Sequence, residues 1–190
     1  MSRYAPVVIF CYRRKIDKLI NSLLKNKEAK ETELFIFSDG FKSKVDKKDV
    51  VNIRESLKNI RGFKLLHIKE SDNNKGLANS IIEGISKVIN EHGKIIVLED
   101  DLIVSPHFLD FMNKSLSLYQ NKKNIWSVSG YSPAIPQLRD YKKEVYLSLR
   151  SSSWGWATWA DRWKKVDWTI SDFQLLKKNK QKIKFFERGG

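Results

Sequence analysis

Four short apolar runs punctuate the first half of the chain: Pro6–Cys11, Leu34–Phe37, Phe63–Ile68 and Lys94–Leu98. They are rich in β-branched and aromatic residues and lack polar alternation, the pattern of strands covered on both faces. Between them the apolar positions recur at helical spacing: Ile16, Leu19, Ile20, Leu23 and Leu24, then Val50, Ile53, Leu57 and Ile60, then Leu77, Ile81, Ile82, Ile85, Val88 and Ile89. Strand and helix alternating three times predict an α/β domain, a parallel sheet with right-handed crossovers and helices on both faces. Gly93 is placed to end the third helix. Ser105-Pro106 predicts the start of a fourth, with Ser105 as N-cap and Pro106 in the first turn, and with Phe108, Met112 and Tyr119 on its apolar face. Ile125–Ser129 and Val145–Leu149 read as further strands. Trp156, Trp159 and Trp163 fall at helical spacing and read as one buried aromatic stripe.

Composition narrows the class. The 190 residues include 41% hydrophobic and 12% aromatic side chains, enough for a core and too many for a disordered chain. Cys11 is the single cysteine, which excludes a disulfide framework and a cysteine-built zinc site. It reads as a small buried residue. No apolar stretch reaches the roughly 18 residues of a membrane span. The N-terminus lacks a small-residue cleavage site, so a cytoplasmic location is expected. Thirty-six Lys and Arg against 22 Asp and Glu give a formal charge of +14, which favours anionic partners.

Against that basic background stands Glu99-Asp100-Asp101, directly after the apolar run Ile95–Leu98. Adjacent carboxylates at a strand's carboxyl end repel one another unless a cation sits among them. In open α/β sheets that edge is where ligands bind. Hard oxygen donors suit Mg²⁺ or Mn²⁺, which could bridge a pyrophosphate to the protein. The competing reading is a polar turn with capping aspartates. Ser38-Asp39-Gly40 ends the second run, so Asp39 shares the edge, as a ligand acceptor or as part of an Asp-Gly turn. Tyr12-Arg13-Arg14 follows the first run and could hold a phosphate, or form a surface pair at a helix start. Asn73-Asn74-Lys75-Gly76 precedes the third helix, but lacks the glycine spacing of a phosphate loop.

In this order the segments resemble the GT-A-fold glycosyltransferases of the family 2 type, and more narrowly the β-1,2-N-acetylglucosaminyltransferase I-like group. The resemblance is carried by Arg13 after the first strand, Ser38-Asp39-Gly40, Asn74-Lys75-Gly76-Leu77-Ala78-Asn79 and Glu99-Asp100-Asp101 with Ser105-Pro106 beyond it. Trp126-Ser127-Val128-Ser129-Gly130 and Gly155-Trp156 complete the series. It implies a Rossmann-like three-layer α/β/α sandwich, with a nucleotide-sugar half over 1–130 and an acceptor-side region with a Trp-rich segment over 131–190. It further implies inverting sugar transfer from a nucleotide-diphosphate donor to a glycan or lipid-linked acceptor in surface polysaccharide synthesis. Asp101 would be the metal ligand, for Mn²⁺ or Mg²⁺. Arg13, Asp39, Lys75, Glu99, Asp100, Trp154 and Gly155 would contact the donor. Asp39 lies one position earlier than the acid of the N-acetylglucosaminyltransferase pattern.

In the resembled enzymes the catalytic base is a carboxylate beside an aromatic, well past the Gly-Trp segment. The acids after Trp154 are Asp161, Asp167, Asp172 and Glu187, and none stands in that motif. The expectation is a C-terminally truncated domain whose base lies beyond Gly190. Two alternatives stay open: a non-catalytic nucleotide-sugar-binding fragment, and a basic nucleic-acid-binding domain. The acid triplet counts against the second, since it would repel phosphates. A lipid-linked acceptor together with the basic surface implies peripheral contact with an anionic membrane face.

Overall fold

The computed structural model describes residues 3–187. Four parallel strands, β1 (Val7–Cys11), β2 (Glu33–Ser38), β3 (Leu65–Glu70) and β4 (Lys94–Glu99), lie in the order β3-β2-β1-β4. Every residue of β1 is buried. Val7, Ile9 and Cys11 pack into one face of the sheet, and Val8 and Phe10 into the other. That double burial is why the run carries no polar alternation.

Helices α1 (Asp17–Leu23) and α2 (Lys44–Leu57) cover the first face, and α3 (Leu77–His92) covers the second. The chain thus builds outward from β1 to β3, then returns to lay β4 on the other flank of β1. The covering helix changes face at the same step. The result is a switch point between β1 and β4, open at their carboxyl ends, and the three-layer α/β/α sandwich expected from the sequence. Gly93 ends α3 as predicted: its φ is 76°, and its N–H donates to Ile89 O at 2.8 Å.

The second half departs from the sequence pattern in four places. Helix α4 (Phe108–Leu118) begins after Ser105 and Pro106, which form a preceding turn closed by Phe108 N–H on Ser105 O at 3.1 Å. Its N-terminal amide is satisfied from elsewhere in the chain. Buried Asn26 accepts from Leu109 N–H at 2.9 Å and donates to Ser105 O at 3.1 Å, so the helix needs no Ser105 cap.

The expected strand Ile125–Ser129 contracts to β5 (Val128–Ser129), and Val145–Leu149 forms none, leaving Leu147 and Leu149 exposed. The sheet is extended past β4 by β6 (Trp156–Trp159), antiparallel to both β4 and the edge strand β5, in the final order β3-β2-β1-β4-β6-β5. Strand geometry also breaks up the expected tryptophan stripe. Trp159 packs with the α4 side of the sheet, while Trp156 turns to the other face and stacks on Trp163 at 6.0 Å. Trp163 ends α5 (Ala160–Trp163), and α6 (Phe173–Lys178) and α7 (Lys180–Glu187) follow. No described helix is long and apolar enough to cross a membrane.

Candidate active site

A cleft of about 720 Å³ opens at the carboxyl ends of β1, β2 and β4, where the switch point predicts it. Tyr12 and Arg14 border it after β1, Asp39 after β2, and Glu99, Asp100 and Asp101 after β4. The N-terminal end of α3 contributes Gly76, Leu77 and Ser80. Trp156, Trp163 and Trp168 make an aromatic wall beneath them. Cys11 also faces the cleft, and burial pushes its thiol up to about 12. It therefore stays protonated and is not a nucleophile.

The acid triplet does not turn away from this space. Asp101 has a half-exposed side chain, whereas that of Asp100 is only 18% exposed. Burial raises the Asp100 carboxyl above the ordinary aspartate value; Arg14 opposes the shift, and Asp101 and Glu99 add to it. The raised value means that ionised Asp100 is disfavoured in the fold. Its contribution is intact below the ordinary aspartate range and is lost as pH rises through the folded value. Asp100→Asn should therefore melt higher than the native chain at neutral pH, with the gap closing below about pH 4. Thermal melts across that range measure it; a neutral-pH gap of zero or of opposite sign would refute it.

The donor chemistry fits a hard divalent cation. Arg14 Nη1 lies 3.5 Å from Asp100 Oδ1 and 2.5 Å from Asp101 Oδ2, so a positive centre already sits between the two carboxylates. Among the described residues no set of three His, Cys, Asp or Glu side chains converges to form a cage. An ion held here would take one or two protein oxygens and fill its shell with phosphate oxygens and water, the habit of Mg²⁺ at phosphate sites.

Asp39 is committed to the protein. Its Oδ1 accepts from Gly40 N–H and Lys75 N–H, each at 2.9 Å, and its Oδ2 from Gly76 N–H at 3.0 Å. One carboxylate thereby clamps the β2 turn to the loop that leads into α3. Gly40 permits the approach, because a Cβ there would overlap the Asn73 backbone. Behind Asp39, Arg54 of α2 donates to Ser38 O, Asp39 O and Ser71 O at 3.3, 3.2 and 2.7 Å, tying the ends of β2 and β3 together. Lys75 contributes its backbone to the clamp, while its ammonium pairs with Glu83 at 2.6 Å.

The other expected donor contacts are placed as follows. Arg13 pairs with Asp46 at 2.8 Å, and neither borders the cleft; Asp46 also accepts from Tyr12 Oη, which ties the cleft-lining Tyr12 to the start of α2. Trp154 is half-exposed and packs on Tyr131 at 4.5 Å, beside the cleft lining. Gly155 turns the chain into β6 with φ 71° and accepts from Gly130 N–H at 2.7 Å. Of the later acids, Asp161 pairs with Lys123 and Arg162, and Asp167 accepts from the amides and hydroxyls of Thr169 and Ser171. Neither they nor Asp172 and Glu187 border the cleft.

Sequence reasoning named Arg14 only together with Arg13 and then favoured Arg13, and it did not single out Arg54 or the Trp163–Trp168 pair. A signal existed for Arg54: it lies four residues after Val50 and three before Leu57, on the buried stripe of α2.

The model of the GNT-I family matches residues 1–173. No curated protein matches the chain. Two of the solved structures that match it serve as examples. The WbbM bifunctional glycosyltransferase apo structure is 17% identical with a TM-score of 0.30, over 53% of this chain and 19% of its own. The 4-diphosphocytidyl-2C-methyl-D-erythritol synthase from Anaerococcus prevotii DSM 20548 is 12% identical with a TM-score of 0.37, over 96% of this chain and 83% of its own. The chain thus spans about a fifth of the WbbM protein's length.

Proposed function

Since the chain belongs to the GNT-I family, a group of GT-A-like glycosyltransferases, we propose that it binds a nucleotide-diphosphate sugar in the switch-point cleft for inverting transfer to a glycan or lipid-linked acceptor. The observation that carries this reading is the placement of Glu99, Asp100 and Asp101 on the cleft at the end of β4, beside the cationic Arg14 from the turn after β1. Residues 1–130 would serve the nucleotide, and residues 131–190 the acceptor side.

Asp101, with Asp100 behind it, would hold Mn²⁺ or Mg²⁺, and such an ion neutralises charge on a departing diphosphate. The chain's own residues do the positioning. The Asp39 clamp fixes the α3 entry loop, so Gly76 and Ser80 face the ligand from a set distance. The aromatic wall excludes water and offers flat apolar faces, of the kind that stack on sugar rings, with Trp154 at its rim. Inversion requires the acceptor oxygen to bond the anomeric carbon from the side opposite the breaking carbon–oxygen bond of the diphosphate. The acceptor's proton passes to a carboxylate base. A cytoplasmic protein working on lipid-linked saccharides in surface polysaccharide synthesis would meet them at the inner membrane face, where its net positive charge helps.

Calorimetry with uridine and guanosine diphosphates, with and without Mn²⁺, tests the reading. Binding that appears only with Mn²⁺ supports it. Salt-sensitive binding to RNA or DNA with no response to either diphosphate would replace it with the nucleic-acid alternative.

A further inference from the structure

The most unusual group at the cleft is Arg14. Its Nη1 bridges Asp100 and Asp101, two acids on one turn, from the opposite side of the switch point. The other arginines of this region are anchored by the fold: Arg13 on Asp46, and Arg54 on three backbone carbonyls. The Arg14 side chain is 65% exposed, and its hydrogen bonds among the described residues go to these two carboxylates alone. It stands between the two acids that would hold a divalent ion, and solvent gives it room to leave.

We infer that Arg14 is a displaceable counter-ion of the acid pair. It neutralises Asp100 and Asp101 until a divalent cation enters, and then transfers its fork to the diphosphate of the nucleotide. A guanidinium binds carboxylate and phosphate oxygens with the same planar geometry, so the exchange replaces one charged pair with another. The inference rests on the metal–nucleotide reading of the cleft. It adds that metal and arginine compete before the nucleotide arrives and cooperate afterwards.

Competition lowers the apparent affinity for metal by the fraction of molecules in which the acids are free. For a pair this exposed the effect is small, about three- to fivefold. Arg14→Gln should therefore tighten Mn²⁺ binding in the absence of nucleotide by about that factor. The same variant should weaken uridine diphosphate binding in saturating Mn²⁺, by about tenfold for a lost charged contact. Opposite signs in one variant are the signature.

The test titrates Mn²⁺ alone, following the electron paramagnetic resonance of the free ion, on the native chain, Arg14→Gln, Arg14→Lys and Asp101→Asn. Circular dichroism confirms that each is folded. Tighter binding by Arg14→Gln, with Arg14→Lys near the native value, supports the exchange. Unchanged or weaker binding by Arg14→Gln, with binding still lost in Asp101→Asn, overturns the exchange and leaves the metal site standing. No Mn²⁺ bound by the native chain without nucleotide overturns the exchange, while the metal–nucleotide reading stands or falls on the diphosphate calorimetry.

Discussion

Asp101→Asn is expected to reduce Mn²⁺-dependent binding of a nucleoside diphosphate by roughly 100-fold, about 2.7 kcal/mol, while leaving the melting temperature nearly unchanged. The two halves of this expectation have separate causes. The Asp101 side chain is 52% exposed and among the described residues bonds to Arg14 alone, which keeps Asp100 as a partner, so the fold gives up little when the charge goes. Exposed ion pairs contribute about 0.2–1 kcal/mol, well short of the expected loss in binding. If the affinity falls by only a few-fold, the acid was serving Arg14 and not a metal. Calorimetry at fixed Mn²⁺ gives the number, and Asp110→Asn on α4, whose carboxylate pairs with Lys114, provides the control.

The largest effect on stability is expected at Trp163. It is buried, stacks on Trp156, packs tilted against Trp168, and donates through Nε1 to Ser86 Oγ at 2.9 Å. Trp163→Ala removes a whole aromatic from between α3 and β6 and leaves the hydroxyl without its donor. The cost should be about 3–5 kcal/mol, which for a chain of this length lowers the melting temperature by roughly 10 °C. Trp163→Phe keeps most of the volume and should lose less than half as much. Because the same ring lines the cleft, both variants should also weaken ligands that use the apolar wall. Equal melting temperatures for native and Trp163→Ala would show that this wall is not part of the core.

The parallel half of the sheet could be read from the sequence because β1 and β4 are buried on both sides, and double burial writes itself as an unbroken apolar run. The cleft's acidic edge followed from the same signal, since the triplet begins where the run stops. Val145–Leu149 misled for the complementary reason. Its Val-Tyr-Leu-Ser-Leu composition suits a pleated surface, but strand formation needs a partner strand, and β5 and β6 occupy that flank. The spacing of Trp156, Trp159 and Trp163 satisfied a helical period by coincidence, because the strand-to-helix change at Ala160 falls inside it. The choice between Arg13 and Arg14 depends on which neighbour the turn after β1 aims inward, and no pattern of residue types records that.

The register that joins Val7 to Ile96 and Phe10 to Glu99 places neighbours nearly half the chain apart. The loop-closure entropy of that pairing exceeds that of the more local β1–β2 and β2–β3 pairings, so it is expected to form after them. Arg14 and the acids it meets belong to opposite sides of that final seam. Any partly folded form lacking it would own a sheet but no cleft, so the native topology must close before a ligand can be held there.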